Sequence, residues 1–78
     1  MPLLEIAQYV DARGLSCPMP IVRTAQAARG LPSGSVIEVL ATDPGSTKDF
    51  AAWARSTGHD LIESTLDGAV FRFVIRTK

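Results

Sequence analysis

The chain has 78 residues and reads as one small domain spanning 1–78. Eight Lys and Arg balance eight Asp and Glu, and this zero net charge argues against a protein that holds nucleic acid by bulk charge. Hydrophobic residues at 46% and charged residues at 21% make a globular mixture rather than a disordered one. A domain this short buries only roughly 60–65% of its unfolded surface, so its core is thin. Cys17 is the sole cysteine. It cannot form an internal disulfide, a CxxC redox pair or a thiolate-rich zinc site, and a cytoplasmic location is expected. Residues 1–10 lack a basic leader, and Glu5 and Gln8 interrupt their apolar run, so no signal peptide is expected there. No apolar stretch is long enough to span a bilayer.

Residues 6–11 alternate and predict a first strand. A loop over 12–16 follows, with Gly14 free to take a positive φ. After Cys17, Pro18-Met19-Pro20 leads into Ile21, Val22, Ala25 and Ala28, the spacing of a helix stripe. Prolines are tolerated in a first turn, and Gly30 and Pro32 end the helix. Residues 36–42 are β-branched and apolar, the pattern of a buried strand. Asp43-Pro44-Gly45 turns into a second helix with Ser46 as its expected N-cap and Asp49 standing in for a capping-box Glu. Phe50, Trp53, Ala54 and Thr57 form its inner stripe, while Lys48, Asp49, Ala52, Arg55 and Ser56 face out. Gly58 closes it.

Residues 61–66 and 70–76 are two further strands, joined through Asp67-Gly68, a strong hairpin signal. The order strand–helix–strand–helix–strand–strand predicts an α/β two-layer sandwich, βαβαββ, with a mixed four-stranded sheet and both helices on one face. The other face would carry Glu38, Glu63, Arg72 and Arg76, paired across strands.

The chemistry centres on Cys17. A free cysteine is most often a small buried hydrophobe, but this one sits at a strand-to-helix junction where chains surface. A helix N-terminus and the nearby Arg13 both favour a thiolate, whereas Pro18 and Pro20 remove two N–H groups that could bond the sulfur. The expectation is an exposed, moderately activated thiolate. The lone His59 follows Gly58 at the far end of the sheet, a capping or surface position rather than that of a general base. A cysteine hydrolase is disfavoured, and the scattered His, Cys and carboxylates suggest no metal centre. The loops after both parallel strands share one sheet edge, where ligands and partners gather in open α/β sheets. Arg13, Cys17, Asp43, Ser46 and Lys48 belong to that rim, although turn and cap chemistry alone accounts for Asp43 and Ser46.

The run Asp11-Ala12-Arg13-Gly14-Leu15-Ser16-Cys17-Pro18-Met19-Pro20 resembles the D-x-x-G-x-x-C-P-x-P signature of the TusA/SirA-like family of small sulfur-carrier proteins. Asp43-Pro44, leading into the second helix, resembles that family's second landmark, and Gly58-His59-Asp60 and Asp67-Gly68 also fall where the family has them. The resemblance implies that Cys17 carries sulfur as a persulfide, positioned by Gly14, Pro18 and Pro20. It implies a sulfur-donor protein (a cysteine desulfurase or a rhodanese) and a downstream acceptor protein in tRNA thiolation, cofactor assembly or sulfur oxidation. A monomeric relay without a cofactor follows, rather than a stand-alone turnover enzyme, with neither nucleic acid nor membrane as a direct partner. Docking would use Arg13, Arg23, Arg29, Asp43 and Lys48. The chain departs from the family at Thr24, Ala25 and Gln26, where many members carry basic residues. Two other classes remain open: a redox-sensing regulatory module built on Cys17, and a small RNA-binding domain.

Overall fold

The computed structural model describes residues 5–78, so the first four residues of the stretch expected to hold no signal peptide lie outside it. The elements are β1 (Ile6–Ala12), α1 (Met19–Arg29), β2 (Val36–Ala41), α2 (Ser46–Thr57), β3 (Asp60–Asp67) and β4 (Val70–Arg76). The strands form one sheet in the order β1-β2-β4-β3. β1 runs parallel to β2, while β4 runs antiparallel to both its neighbours. This is the expected mixed sheet. α1 packs on β1 and β2, α2 packs on β3 and β4, and the helices touch each other.

The alternation of each strand decides what lies under the helices. Ala12, Ile37, Val39, Ala41, Phe73 and Ile75 join Phe50 of α2 in one buried cluster, with Val10, Leu15, Ile21, Ala28, Trp53 and Phe71 packed around it. Phe50 and Phe73 stack at 4.4 Å between ring centroids, pinning α2 to the middle of the sheet. The inner face of α1 keeps Ile21 and Ala28 of the expected stripe and extends to two positions outside it. Pro20 and Thr24 are its buried positions, and Thr24 can be interior because its Oγ1 donates to the Pro20 carbonyl at 2.8 Å.

Several local expectations need correction. α2 is N-capped by Gly45, and Ser46 lies inside the helix with its side chain buried. The cause is upstream: the Asp43 carbonyl accepts the Ser46 N–H at 3.0 Å, and Asp43 Oδ2 accepts the Gly45 N–H at 3.2 Å. Those bonds settle the turn without the serine hydroxyl. The hairpin loop is Gly68-Ala69, because Asp67 still pairs with Val70. Gly68 takes a φ of +63° at its first position, where a type II′ turn requires glycine. On the outer face Arg72 bridges Glu38 at 2.7 Å and Glu63 at 3.0 Å as expected, but Arg76 pairs with Asp60, at 3.1 Å. Val74 is buried on that same face, opposite Glu38 and Glu63.

Candidate functional site

β1 ends at the fully buried Ala12, whose carbonyl accepts the Leu15 N–H at 3.2 Å. Gly14, at a φ of +80°, closes this turn in a conformation other residues resist. Leu15 packs on the core and anchors the segment, so that the exposed Cys17 follows on a fixed base. The peptide bond Cys17–Pro18 is cis. The Gly14 N–H donates to Thr42 Oγ1 at 2.9 Å, tying the loop after β1 to the loop after β2. Thr42, expected in the second strand, lies just beyond it for this purpose. The two loops at the carboxyl ends of the parallel strands thus form one rim.

The electrostatics of Cys17 reverse the expected activation. Pro18 and Pro20 have no N–H, and the Met19 N–H is taken by the Ser16 carbonyl at 2.8 Å. The start of α1 therefore leaves the sulfur no N–H from these three positions. Arg13 offers no compensation, since its Nε and Nη2 fork onto both oxygens of Asp11 at 2.8 and 2.9 Å. Asp11 is held at about 2 by that pairing. The Cys17 thiol is pushed above its ordinary range, first by donating toward Asp49, then by partial loss of water, with the negative charges of Asp49 and Asp43 adding to it. Because Cys17 is exposed, we assign the effect to the carboxylates more than to burial.

Asp49 was expected to face solvent. It is half-buried instead, in the first turn of α2. A point where a side chain on Gly45 would begin lies 3.2 Å from Asp43 Oδ2 and 3.8 Å from Asp49 Oδ2, so the two carboxylates flank one spot at the helix start. No pattern in the sequence marks Asp49 as a neighbour of Cys17, because the two meet only when α1 and α2 pack side by side.

The rim holds Arg13, Gly14, Cys17, Pro18, Asp43 and Asp49, with Lys48 exposed in the first turn of α2. Arg23 is exposed one turn into α1, and Arg29 lies at the opposite end of that helix. Arg29 borders a groove with Trp53 and His59, away from the sulfur. Among the described residues no group of three His, Cys, Asp or Glu side chains is placed to hold a metal ion. No helix among them is long and apolar enough to cross a membrane.

Comparison with known proteins places this geometry in context. The profile of the family described as Sulfurtransferase TusA matches residues 8–77. YrkI of Bacillus subtilis (strain 168) is 52% identical over 69 residues, covering 88% of this chain and 92% of that protein. The sulfur carrier protein TusA of Allochromatium vinosum is 46% identical over 74 residues, covering 95% of this chain and 97% of that one. The crystal structure of a SirA-like protein from Desulfitobacterium hafniense superposes with a TM-score of 0.79 at 28% identity, covering 88% of this chain and 95% of that one.

Proposed function

Because the chain belongs to the TusA sulfurtransferase family, we propose that it is a single-domain sulfur carrier in which Cys17 holds sulfane sulfur as a persulfide between a donor and an acceptor protein. The observation that carries this reading is the exposed Cys17 thiol on the rim formed by the loops after β1 and β2. A relay needs no more than that. The Cys17 thiolate attacks the outer sulfur of a donor persulfide: a bond from Sγ to that sulfur forms and the donor's S–S bond breaks. The electron pair leaves on the donor's inner sulfur, which regains the proton Cys17 lost. No net oxidation occurs.

The carboxylates give this exchange a direction. A thiol of raised pKa is sparsely ionised but intrinsically more nucleophilic once ionised. The same property makes Cys17 a slow leaving group when an acceptor attacks its terminal sulfur. The loaded carrier thus keeps its sulfur in water and releases it where a partner's cation offsets Asp43 and Asp49. The donor is a cysteine desulfurase or a rhodanese, and the carrier works as a cytoplasmic monomer.

A redox sensor is disfavoured because Cys17 is the sole cysteine and has no resolving partner within the chain. An RNA-binding sheet is disfavoured because Glu38 and Glu63 already neutralise Arg72 on the open face. Incubation with a desulfurase and cysteine, or with a rhodanese and thiosulfate, should add sulfur-sized mass increments at Cys17 and none to Cys17→Ser. Folded protein that gains no sulfur from either donor class would sink the carrier reading.

A further inference from the structure

At the end of the helix layer remote from Cys17, an open groove of about 370 Å³ is lined by Ala25, Ala28, Arg29, Trp53, Thr57 and His59. Its origin is the smallness of the two alanines on α1, facing the large Trp53 on α2. The indole is fixed from two sides, edge-on to Phe50 at 6.1 Å and tilted against His59 at 5.0 Å. His59 Nδ1 accepts the Lys78 N–H at 3.2 Å, which leaves Nε2 as the protonated nitrogen of the neutral ring. Arg29 is exposed and pairs with no carboxylate among the described residues, where ion pairing engages only Arg13, Arg72 and Arg76.

The groove therefore joins an aromatic wall, a small-residue floor and an uncommitted guanidinium. An apolar side chain next to a carboxylate satisfies all three. We propose that the groove receives an acidic segment of the partner protein, with one bulky apolar side chain on Trp53 and the neighbouring carboxylate on Arg29. The identity of that partner as sulfur donor or acceptor rests on the carrier reading; the chemistry of the groove does not.

Distance and charge support one partner covering both places. α1 has eleven residues from Met19 to Arg29, about 15 Å at 1.5 Å per residue. An interface of ordinary size covers about 800 Å² on each side, a disc of roughly 16 Å radius. An interface of this size centred between the sulfur and the groove covers both. The sulfur end of this footprint carries Asp43 and Asp49 together with the exposed Lys48, and the groove end carries Arg29. The complementary partner has a carboxylate for Arg29 about 15 Å or more from its own reactive sulfur.

Trp53 is the only tryptophan and reports on the groove directly. The probe is the peptide acetyl-Gly-Phe-Glu-Gly-amide, with Gln and Lys in place of Glu as controls. At low salt the Glu peptide should change Trp53 fluorescence saturably with millimolar affinity, and should shift the amide resonances of Ala25, Ala28 and His59. The Gln and Lys peptides should bind at least several-fold more weakly. Arg29→Gln should remove the preference for Glu while leaving the thermal midpoint unchanged, and Cys17→Ser should bind the Glu peptide like wild type. With a protein donor, Arg29→Gln should slow loading several-fold while reaction of Cys17 with a small neutral alkylating reagent keeps its rate. The proposal is overturned by no response to the Glu peptide up to about 10 mM, by equal responses to all three peptides, or by an unchanged Glu preference in Arg29→Gln. Failure of sulfur loading with intact peptide binding would overturn the carrier reading and leave the groove assignment standing.

Discussion

Asp49 is the first cause of the upward push on the Cys17 thiol, and the start of α1 does little to offset it. The macrodipole of α1 favours an anion at its N-terminus, but Pro18, Pro20 and the engaged Met19 N–H leave no donor there to express it. Asp49→Asn removes the largest source of the upward push while keeping the side chain's shape. Alkylation of Cys17 at neutral pH should then run several-fold faster, and its pH–rate midpoint should move down. Asp43→Asn should act in the same direction but less, since Asp43 is the last and smallest of the causes. An unchanged midpoint in Asp49→Asn would remove the carboxylate from the account. The other perturbed acid has the opposite sign. Asp11 titrates at about 2 against an ordinary 3.8 because Arg13 holds its charged form. Its contribution to stability is present above the ordinary value and is lost as pH falls through about 2. Arg13→Ala should return the Asp11 titration, followed by NMR, to the ordinary carboxylate range. It should also move the acid unfolding limb to higher pH.

The starts of the two helices are where residue pattern and structure part company. Every strand and helix was legible, because strict alternation and the Phe50, Trp53, Ala54, Thr57 stripe report directly on which side is buried. The exposure of Cys17 was legible too, from its place between a glycine turn and two prolines. Ser46 was not, because its N-cap pattern is local whereas Asp43 had already closed the turn through its own carbonyl and carboxylate. Nor was Asp49, since a helical wheel gives the side of a helix and not the neighbour beside it. The misread serine leads to a prediction. Ser46 is 1% exposed and its Oγ has no hydrogen-bond partner among the described residues. A buried hydroxyl left unpaired costs about 1–3 kcal/mol, so Ser46→Ala should be neutral or stabilising by up to about 1 kcal/mol in urea unfolding. A loss of more than about 1 kcal/mol would show that the hydroxyl has a partner in solution. At the start of α1, Pro18→Ala supplies an N–H beside the sulfur but loosens the turn. The thiol should ionise at least as easily and transfer sulfur more slowly, because placement outweighs acidity. Equal or faster transfer to an acceptor would refute that ordering.

In the molecule as a whole, fold and chemistry are carried by different residues, which allows them to be separated by experiment. The helices cover one face of the sheet, and Phe73 sits at the centre of that contact, fully buried against Phe50 and in line with Phe71. Truncating such a side chain costs about 3–5 kcal/mol, a large share of the 5–15 kcal/mol available to any small domain. At about 4–8 °C per kcal/mol for a domain of this size, Phe73→Ala should lower the thermal midpoint by at least ~12 °C. Cys17 is exposed on a loop held by Leu15 and by the Gly14–Thr42 bond, so Cys17→Ser should shift stability by no more than about 0.5 kcal/mol. The two variants should then divide cleanly. Cys17→Ser unfolds like wild type and takes up no sulfur at any temperature. Phe73→Ala takes up sulfur at its single thiol while it remains folded and loses donor-dependent loading along its own melting curve. Donor-dependent loading that persists above the Phe73→Ala midpoint would mean that the donor recognises a peptide around Cys17 rather than the folded rim, and the docking face would have to be abandoned.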